Sequence, residues 1–405
     1  MKRISLGIFL CLLAFIFAGK ANAKVKLGID VAMTQPYKNK LLHKRLALVA
    51  NSASRNSEGK NTIDVLFKDP QINLVKLFSP EHGLRHFKDT AVEDKHDNIT
   101  GLPVFSLYGP RKIPTAAELK SVDAVVIDLQ DVGSRYYTYA TTMALILQQA
   151  KRLNKEVIIL DRPNPLGGAI VAGALLDTKQ QHKFDSYFSI PMRHGLTFGE
   201  LARYFNQQFH IGVKLTVIPM QHWQRKMLFP DTGLAWYAPS PALPTFQQAF
   251  LYNILGPLES LRLSVGRSLM NQKAFMIYGA PWITPQQAGH LVSKLNQLQL
   301  PGLQFKMIAW IPNRRIYKDK KCFGFLVKLT QINQVNCFYS SLAVLRVLYQ
   351  QFGNTIAIEQ ATNMLGTHAL VDSIKSQQPI SQIIKNIRRK DQQYLAKRKT
   401  ALLYH

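Results

Sequence analysis

Cysteine is scarce, with three in 405 residues. A disulfide-stapled scaffold is excluded, and no CxxC pair is present to begin a zinc site. Acidic residues are few, 24 against 51 Lys and Arg, for a formal charge of +27. The basic residues are spread along the chain, with only short clusters at 318–321 and 388–390. No helix-turn-helix or aromatic RNA-binding signature accompanies them, so no nucleic-acid partner is expected. Affinity for anionic envelope polymers is the plainer reading of the charge. No GxGxxG follows a strand and no GxxxxGK[ST] occurs, so no nucleotide is expected. With no metal-ligand spacing either, the expectation is no metal and no cofactor.

What is present is ordinary for a folded protein. Hydrophobic residues make up 47%, enough for a real core, and the length suggests two or three domains at roughly 100–200 residues each. Lys2 and Arg3 precede an apolar run over residues 4–18, followed by Ala21-Asn22-Ala23. This is the layout of a cleavable signal peptide, 1–23. No later apolar stretch is long enough to span a bilayer. The expectation is a periplasmic or secreted protein with no stable membrane insertion after cleavage. There, Cys322 and Cys337 either pair across a hairpin or remain buried thiols.

Four apolar runs read as strands: 45–50 (RLALVA), 74–78 (LVKLF), 123–129 (DAVVIDL) and 156–160 (EVIIL). Helical patterns at 61–68, 116–121 and 139–153 separate them. Continuous apolar strands alternating with helices predict a parallel sheet covered on both faces. Each strand ends in polar residues: Asn51; Glu81 and His82; Asp128, Gln130 and Asp131; Asp161, Arg162 and Asn164. Ligands of such sheets bind beyond the carboxyl ends of the strands. From Pro239 the texture changes; 305–311 and 323–330 read as strands, 342–352 and 380–387 as helices. The predicted fold is α/β: a Rossmann-like parallel sheet domain at 24–240 and a smaller α+β C-terminal domain at 241–405. The basic end, 397–404, is either a solvated tail or a docked last element.

Five ordered motifs carry more. They are LFSPEHG (77–83), GLPV with SLYG (101–109), DLQDVG with Arg135 and YTY (128–139), DRPNPLGG (161–168), and RHG with GEL (193–201). Together they closely resemble a bacterial family formerly of unknown function, the exo-β-N-acetylmuramidases of the NamZ type, over essentially the whole chain after the leader. The resemblance implies a Rossmann-like domain joined to a smaller C-terminal domain with the active site in the cleft between them. It also implies release of N-acetylmuramic acid from non-reducing ends of peptidoglycan fragments. Muramic acid carries a lactyl carboxylate, which an arginine fork suits; Arg135, Arg162, Arg193 and Arg267 are the candidates.

Glycoside hydrolysis needs two carboxyl groups, an acid and a base or nucleophile. Glu81, after a proline at a strand end, is the candidate general acid, or else a loop-fixing carboxylate. Asp128 and Asp131 hold their loop or take part in the chemistry. His82 and His194 suit proton shuttling or sugar hydroxyls; a metal shared by His82, Asp131 and His194 has no spacing to support it. Tyr137, Tyr139 and Trp236 are candidates for stacking on a sugar ring. Asn51, Gln130 and Asn164 complete the polar strand ends.

The sequence departs from the family pattern in the C-terminal half. Where the family reads Asn after Ser-Pro, this chain has Ala242. In the Glu-Gly-Thr-Asn and Ser-Glu-Gly-Arg run, Glu259, Ser264, Gly266 and Arg267 are kept. The Gly after Glu259 is Ser260, the Asn is Arg262 and the second Glu is Val265. Valine neither carries a proton nor accepts a hydrogen bond. Glu259 is therefore paired with Glu81 as the catalytic couple. A catalytically weakened peptidoglycan- or glycan-binding protein of the same fold is the alternative.

Overall fold

The computed structural model describes residues 23–85, 95–267 and 273–404. The expected leader, Cys11 included, lies outside the described residues except for Ala23. A seven-stranded sheet forms from β1 (Arg45–Ala50), β2 (Asn73–Ser79), β3 (Lys95–His96), β4 (Pro103–Ser106), β5 (Ala124–Asp128), β6 (Glu156–Leu160) and β7 (Leu215–Ile218). Its order is β3-β4-β2-β1-β5-β6-β7. All neighbours are parallel except β3 against β4. Every residue of β5 and β6 is buried, as are all but the first of β1. Their aliphatic runs are what a sheet covered on both faces requires.

The helices Thr62–Phe67, Tyr139–Arg152 and Phe198–Gln208 make crossovers of this sheet. Local chemistry starts two of them. The Asn61 side chain accepts from Ile63 N, and Thr197 with Glu200 forms a reciprocal capping box, each satisfying amides the helix leaves unpaired. Strand order reverses at β1 and β5, since β2 and β4 lie on one side of β1 and β5 to β7 on the other. That reversal opens a crevice at the carboxyl ends.

A second sheet of β8 (Ile277–Ala280), β9 (Leu303–Trp310) and β10 (Cys322–Leu329) is antiparallel, in the order β8-β10-β9. The helix Pro285–Gln297 packs against β9 and β10, and the helix Cys337–Phe352 packs against that helix. One hydrophobic core runs through both parts: Ile127 of β5, Phe250 of the helix Phe246–Leu255 and Phe325 of β10 belong to the same buried cluster.

The chain end is docked. The Tyr404 hydroxyl donates to Asp161 Oδ2 at 2.6 Å and accepts from Met220 N at 2.8 Å, and Leu403 N donates to Glu200 at 2.9 Å. The last long helix covers Ile380–Arg398, well beyond the expected 380–387. Cys322 and Cys337 are both buried and free, one opening β10 and the other opening a helix. Burial pushes the Cys322 thiol up to about 11. No described helix is long and apolar enough to cross a membrane.

Candidate active site

A cavity of about 250 Å³ lies where the carboxyl-end loops of the large sheet meet the second part. The loop after β2 supplies Glu81 and His82, and the loop after β5 supplies Tyr136, Tyr137 and Thr138. Asp185 comes from the loop after β6. Ala242, Tyr252, Glu259, Ser260, Arg267 and Met364 close it from the other side. Glu81 and Glu259 are thus brought together from positions 178 apart in the chain.

Glu81 is held by neutral hydroxyls. The Thr138 hydroxyl donates to its Oε2 at 2.7 Å, and the Tyr139 hydroxyl bonds its backbone carbonyl at 3.0 Å. The Tyr108 phenol lies beside the carboxylate; burial and Glu81 raise its pKa. The Lys112 ammonium sits 4.4 Å from the Tyr108 ring centroid and 4.0 Å from that of Phe184. Burial lowers its pKa, and Glu81 opposes that shift. Glu259 is held differently, in an ion pair with Arg267. His82 lines the cavity with a left-handed backbone, φ 73°.

Tyrosines form the floor. Tyr136 and Tyr137 meet Tyr252 edge-on at 5.2 and 6.0 Å, contacts of about 0.5–1.5 kcal/mol each. The Tyr136 hydroxyl bonds the carbonyls of Tyr252 and Asn253, both at 2.9 Å, tying the two parts together. Tyr139 turns its hydroxyl to the Glu81 and Pro239 carbonyls. The Tyr137 hydroxyl, in a residue only 5% exposed, lies beside Tyr139, and burial together with that neighbour raises its pKa well above the usual phenol value.

Most of the other expected residues form a buried polar layer and do not line this cavity. Asp128 binds Arg162 in an ion pair and accepts from Thr62 at 2.5 Å. Asn51 donates to the Gln130 carbonyl at 3.2 Å, and Asn164 to that of Leu196 at 2.9 Å. Gln130 and Arg162 border a hollow of about 20 Å³. Asp131 accepts from Gly133 N, and its carboxylate lies 3.7 Å from His194 Nε2. No group of three or more potential metal ligands occurs among the described residues.

The four candidate arginines are placed differently. Arg135 spends its guanidinium on the carbonyls of Ala174, Ile190 and Met364 at 2.5–2.8 Å; burial pulls it down to about 10. Arg193 is bonded to the Leu166 carbonyl and lies against Cys337. Arg162 is committed to Asp128 and the Arg55 carbonyl. These three are buried braces, and Arg267 is the candidate that reaches the cavity. Trp236 is likewise packed away, donating to the Leu243 carbonyl and meeting Phe229 edge-on at 4.8 Å.

The departures fall unevenly. Val265 is 6% exposed within the hydrophobic core and Arg262 is exposed; neither lines the cavity. Ala242 does, so only there does the departure remove a polar side chain from the cavity wall. Sequence reasoning missed Asp185 and Thr138. The only signal for Asp185 was an acidic residue between Phe184 and Tyr187 in a carboxyl-end loop.

A larger hollow of about 1070 Å³ lies beside residues 26–34 and 55–68. Its carboxylates are committed: Asp30 accepts from the amides of Leu27 and Ser57, and Asp64 pairs with Arg85. The smaller cavity is the one that brings Glu81 and Glu259 together.

Comparison with known proteins agrees with this architecture. A peptidoglycan β-N-acetylmuramidase, NamZ, of Bacillus subtilis (strain 168) is 36% identical over 386 residues, covering 94% of this chain and 92% of that protein. Two crystal structures of DUF1343 family proteins from Bacteroides fragilis NCTC 9343 superpose on it. One has a TM-score of 0.84 at 31% identity over 94% of this chain and 99% of that one. The other scores 0.75 at 25% identity over 95% and 99%. The family model for the N-terminal part of the exo-β-N-acetylmuramidase NamZ matches residues 46–247, and that for its C-terminal part matches 250–404. With both halves matched in order, the chain belongs to the exo-β-N-acetylmuramidase NamZ family.

Proposed function

We propose that the protein is an exported glycoside hydrolase that releases N-acetylmuramic acid from the non-reducing ends of peptidoglycan fragments, with Glu81 as general acid. The observation that carries this reading is the placement of Glu81 and Glu259 on one cavity of about 250 Å³. The family membership and the activity named for the Bacillus subtilis relative supply the substrate class.

The partners of the two carboxyl groups suggest their roles. Glu81, bonded by neutral hydroxyls, gives its proton to the glycosidic oxygen as the C–O bond breaks, so the leaving sugar departs as an alcohol. Glu259, ion-paired with Arg267, faces the positive charge developing on the ring, as base or nucleophile. The Arg267 fork lies where the lactyl carboxylate of the substrate can share it. The alternative of a weakened glycan binder was motivated by Val265 and Arg262, and neither side chain lines the cavity.

The test is direct. Purified protein is incubated with a muramyl disaccharide and with digested peptidoglycan, and free N-acetylmuramic acid is measured by mass spectrometry. Binding without release of that sugar supports the glycan-binding alternative and overturns the hydrolase reading. Export is tested by intact mass: the mature protein should begin at Lys24.

A further inference from the structure

Asp185 is a carboxylate of this cleft that the catalytic reading leaves without a task. It lines the same cavity as Glu81 and Glu259. Beside the cavity its loop is tied to the second part by Asn363: Asn363 Nδ2 donates to Asp185 Oδ1 at 2.5 Å, and Asn363 Oδ1 accepts from Ser186 at 2.6 Å. Ser186 Oγ also reaches Oδ1, at 3.4 Å. Both contacts fall on Oδ1. Among the described residues no hydrogen bond reaches Oδ2, and no cation pairs with the group. The buried Arg135, whose donors are spent on carbonyls, feels its field. A carboxylate held by one oxygen, with the other unengaged on a cavity wall, is a preorganised acceptor.

We propose, on the reading given above, that Asp185 is a substrate-binding residue that accepts a hydrogen bond from a hydroxyl or amide N–H common to N-acetylhexosamine rings. Charge sets the orientation. An unpaired carboxylate repels the lactyl group of muramic acid, whereas Arg267 on the same cavity attracts it. Asp185 therefore grips the neutral part of the ring and Arg267 its acidic arm.

The experiment is calorimetric binding of N-acetylmuramic acid and of N-acetylglucosamine, which lacks the lactyl group, to the wild type and to Asp185→Ala, with thermal melts alongside. Both affinities are expected to fall, that for N-acetylglucosamine by about tenfold or more, the worth of a charged hydrogen bond, and that for N-acetylmuramic acid by less, because the repulsion of its lactyl group is relieved. Asp185→Asn, of equal volume, should show the same pattern at smaller size and keeps the test open if the alanine variant does not fold. Binding of both sugars within twofold of wild type in a folded variant overturns the proposal, as does a loss confined to N-acetylmuramic acid. A wild type that binds neither sugar overturns the reading of the whole site, which is a distinct result.

Discussion

Glu259 and Arg267 form an ion pair on the cavity that also contains Glu81. Arg267 is partly exposed there, unlike the three buried arginines of the first part. Arg267→Ala should weaken binding of N-acetylmuramic acid at least tenfold and leave N-acetylglucosamine within about threefold, since only the former presents a carboxylate to the fork. Equal losses for the two sugars would show that Arg267 serves only to hold Glu259.

Glu81→Gln keeps the side chain's volume and an oxygen for the Thr138 hydroxyl but removes the titratable proton. Turnover should fall about 10²–10⁴-fold, the usual worth of a positioned acid. Thermal stability should scarcely move. Substrates with leaving groups that need no protonation should lose least. A folded variant that retains its rate within a few-fold would remove Glu81 from the mechanism.

Val265→Glu restores the family's residue in the chain but not in the cavity. The position is 6% exposed, and its carbonyl accepts from Phe275 N at 2.8 Å. A carboxylate there is buried among apolar neighbours, so the change should cost about 2–4 kcal/mol of stability and raise no activity. Chemical denaturation with a parallel turnover assay checks both halves of that expectation.

Arg193→Ala should behave as a brace removed. The guanidinium is bonded to the Leu166 carbonyl and packed against Cys337. Loss of about 2–4 kcal/mol is expected, with both sugars bound normally by the fraction that folds. Selective loss of N-acetylmuramic acid binding would return Arg193 to the substrate site.

Asp161 predicts a pH dependence. Burial pushes its carboxyl up to about 7, with the Tyr404 hydroxyl and the Gly199 amide pulling the other way. An unfolded Asp titrates near about 3.9. A raised folded pKa means that the contribution is fully present below the unfolded value and is lost as pH rises through the folded one. Between about pH 4 and 7 it should decline by at most roughly 1.4 kcal/mol per unit. Urea denaturation of wild type and Asp161→Asn across pH 4–8 should show their stability difference shifting against the wild type as pH rises. A pH-independent difference would mean that Asp161 has the same proton affinity in both states.

Much of the sheet was legible because its central strands are buried on both faces. Arg45–Ala50 and Glu156–Leu160 match their apolar runs residue for residue. The edge strand Leu215–Ile218 is only half-buried along most of its length, so its pattern is weak. The helix Ile380–Arg398 was cut short because beyond Ile387 its exposed face is rich in Arg and Lys, while Tyr394 and Arg398 are the residues that pack. Long polar side chains obscure a helical period.

The order of motifs, the family and the catalytic candidates Glu81 and Glu259 follow from the sequence alone, because they rest on residue type and local spacing. Which polar residues meet the cavity was decided only in three dimensions. Arg135, Arg162 and Arg193 stand in motifs as suggestive as any, yet the chain buries Arg135 among three carbonyl groups, Arg162 against Asp128, and Arg193 against the Leu166 carbonyl and Cys337. Asp185 stands in no motif, yet the tether to Asn363, 178 residues away, sets it in the cleft. Residue type specifies what a side chain can do chemically; long-range packing determines whether solvent and substrate can reach it.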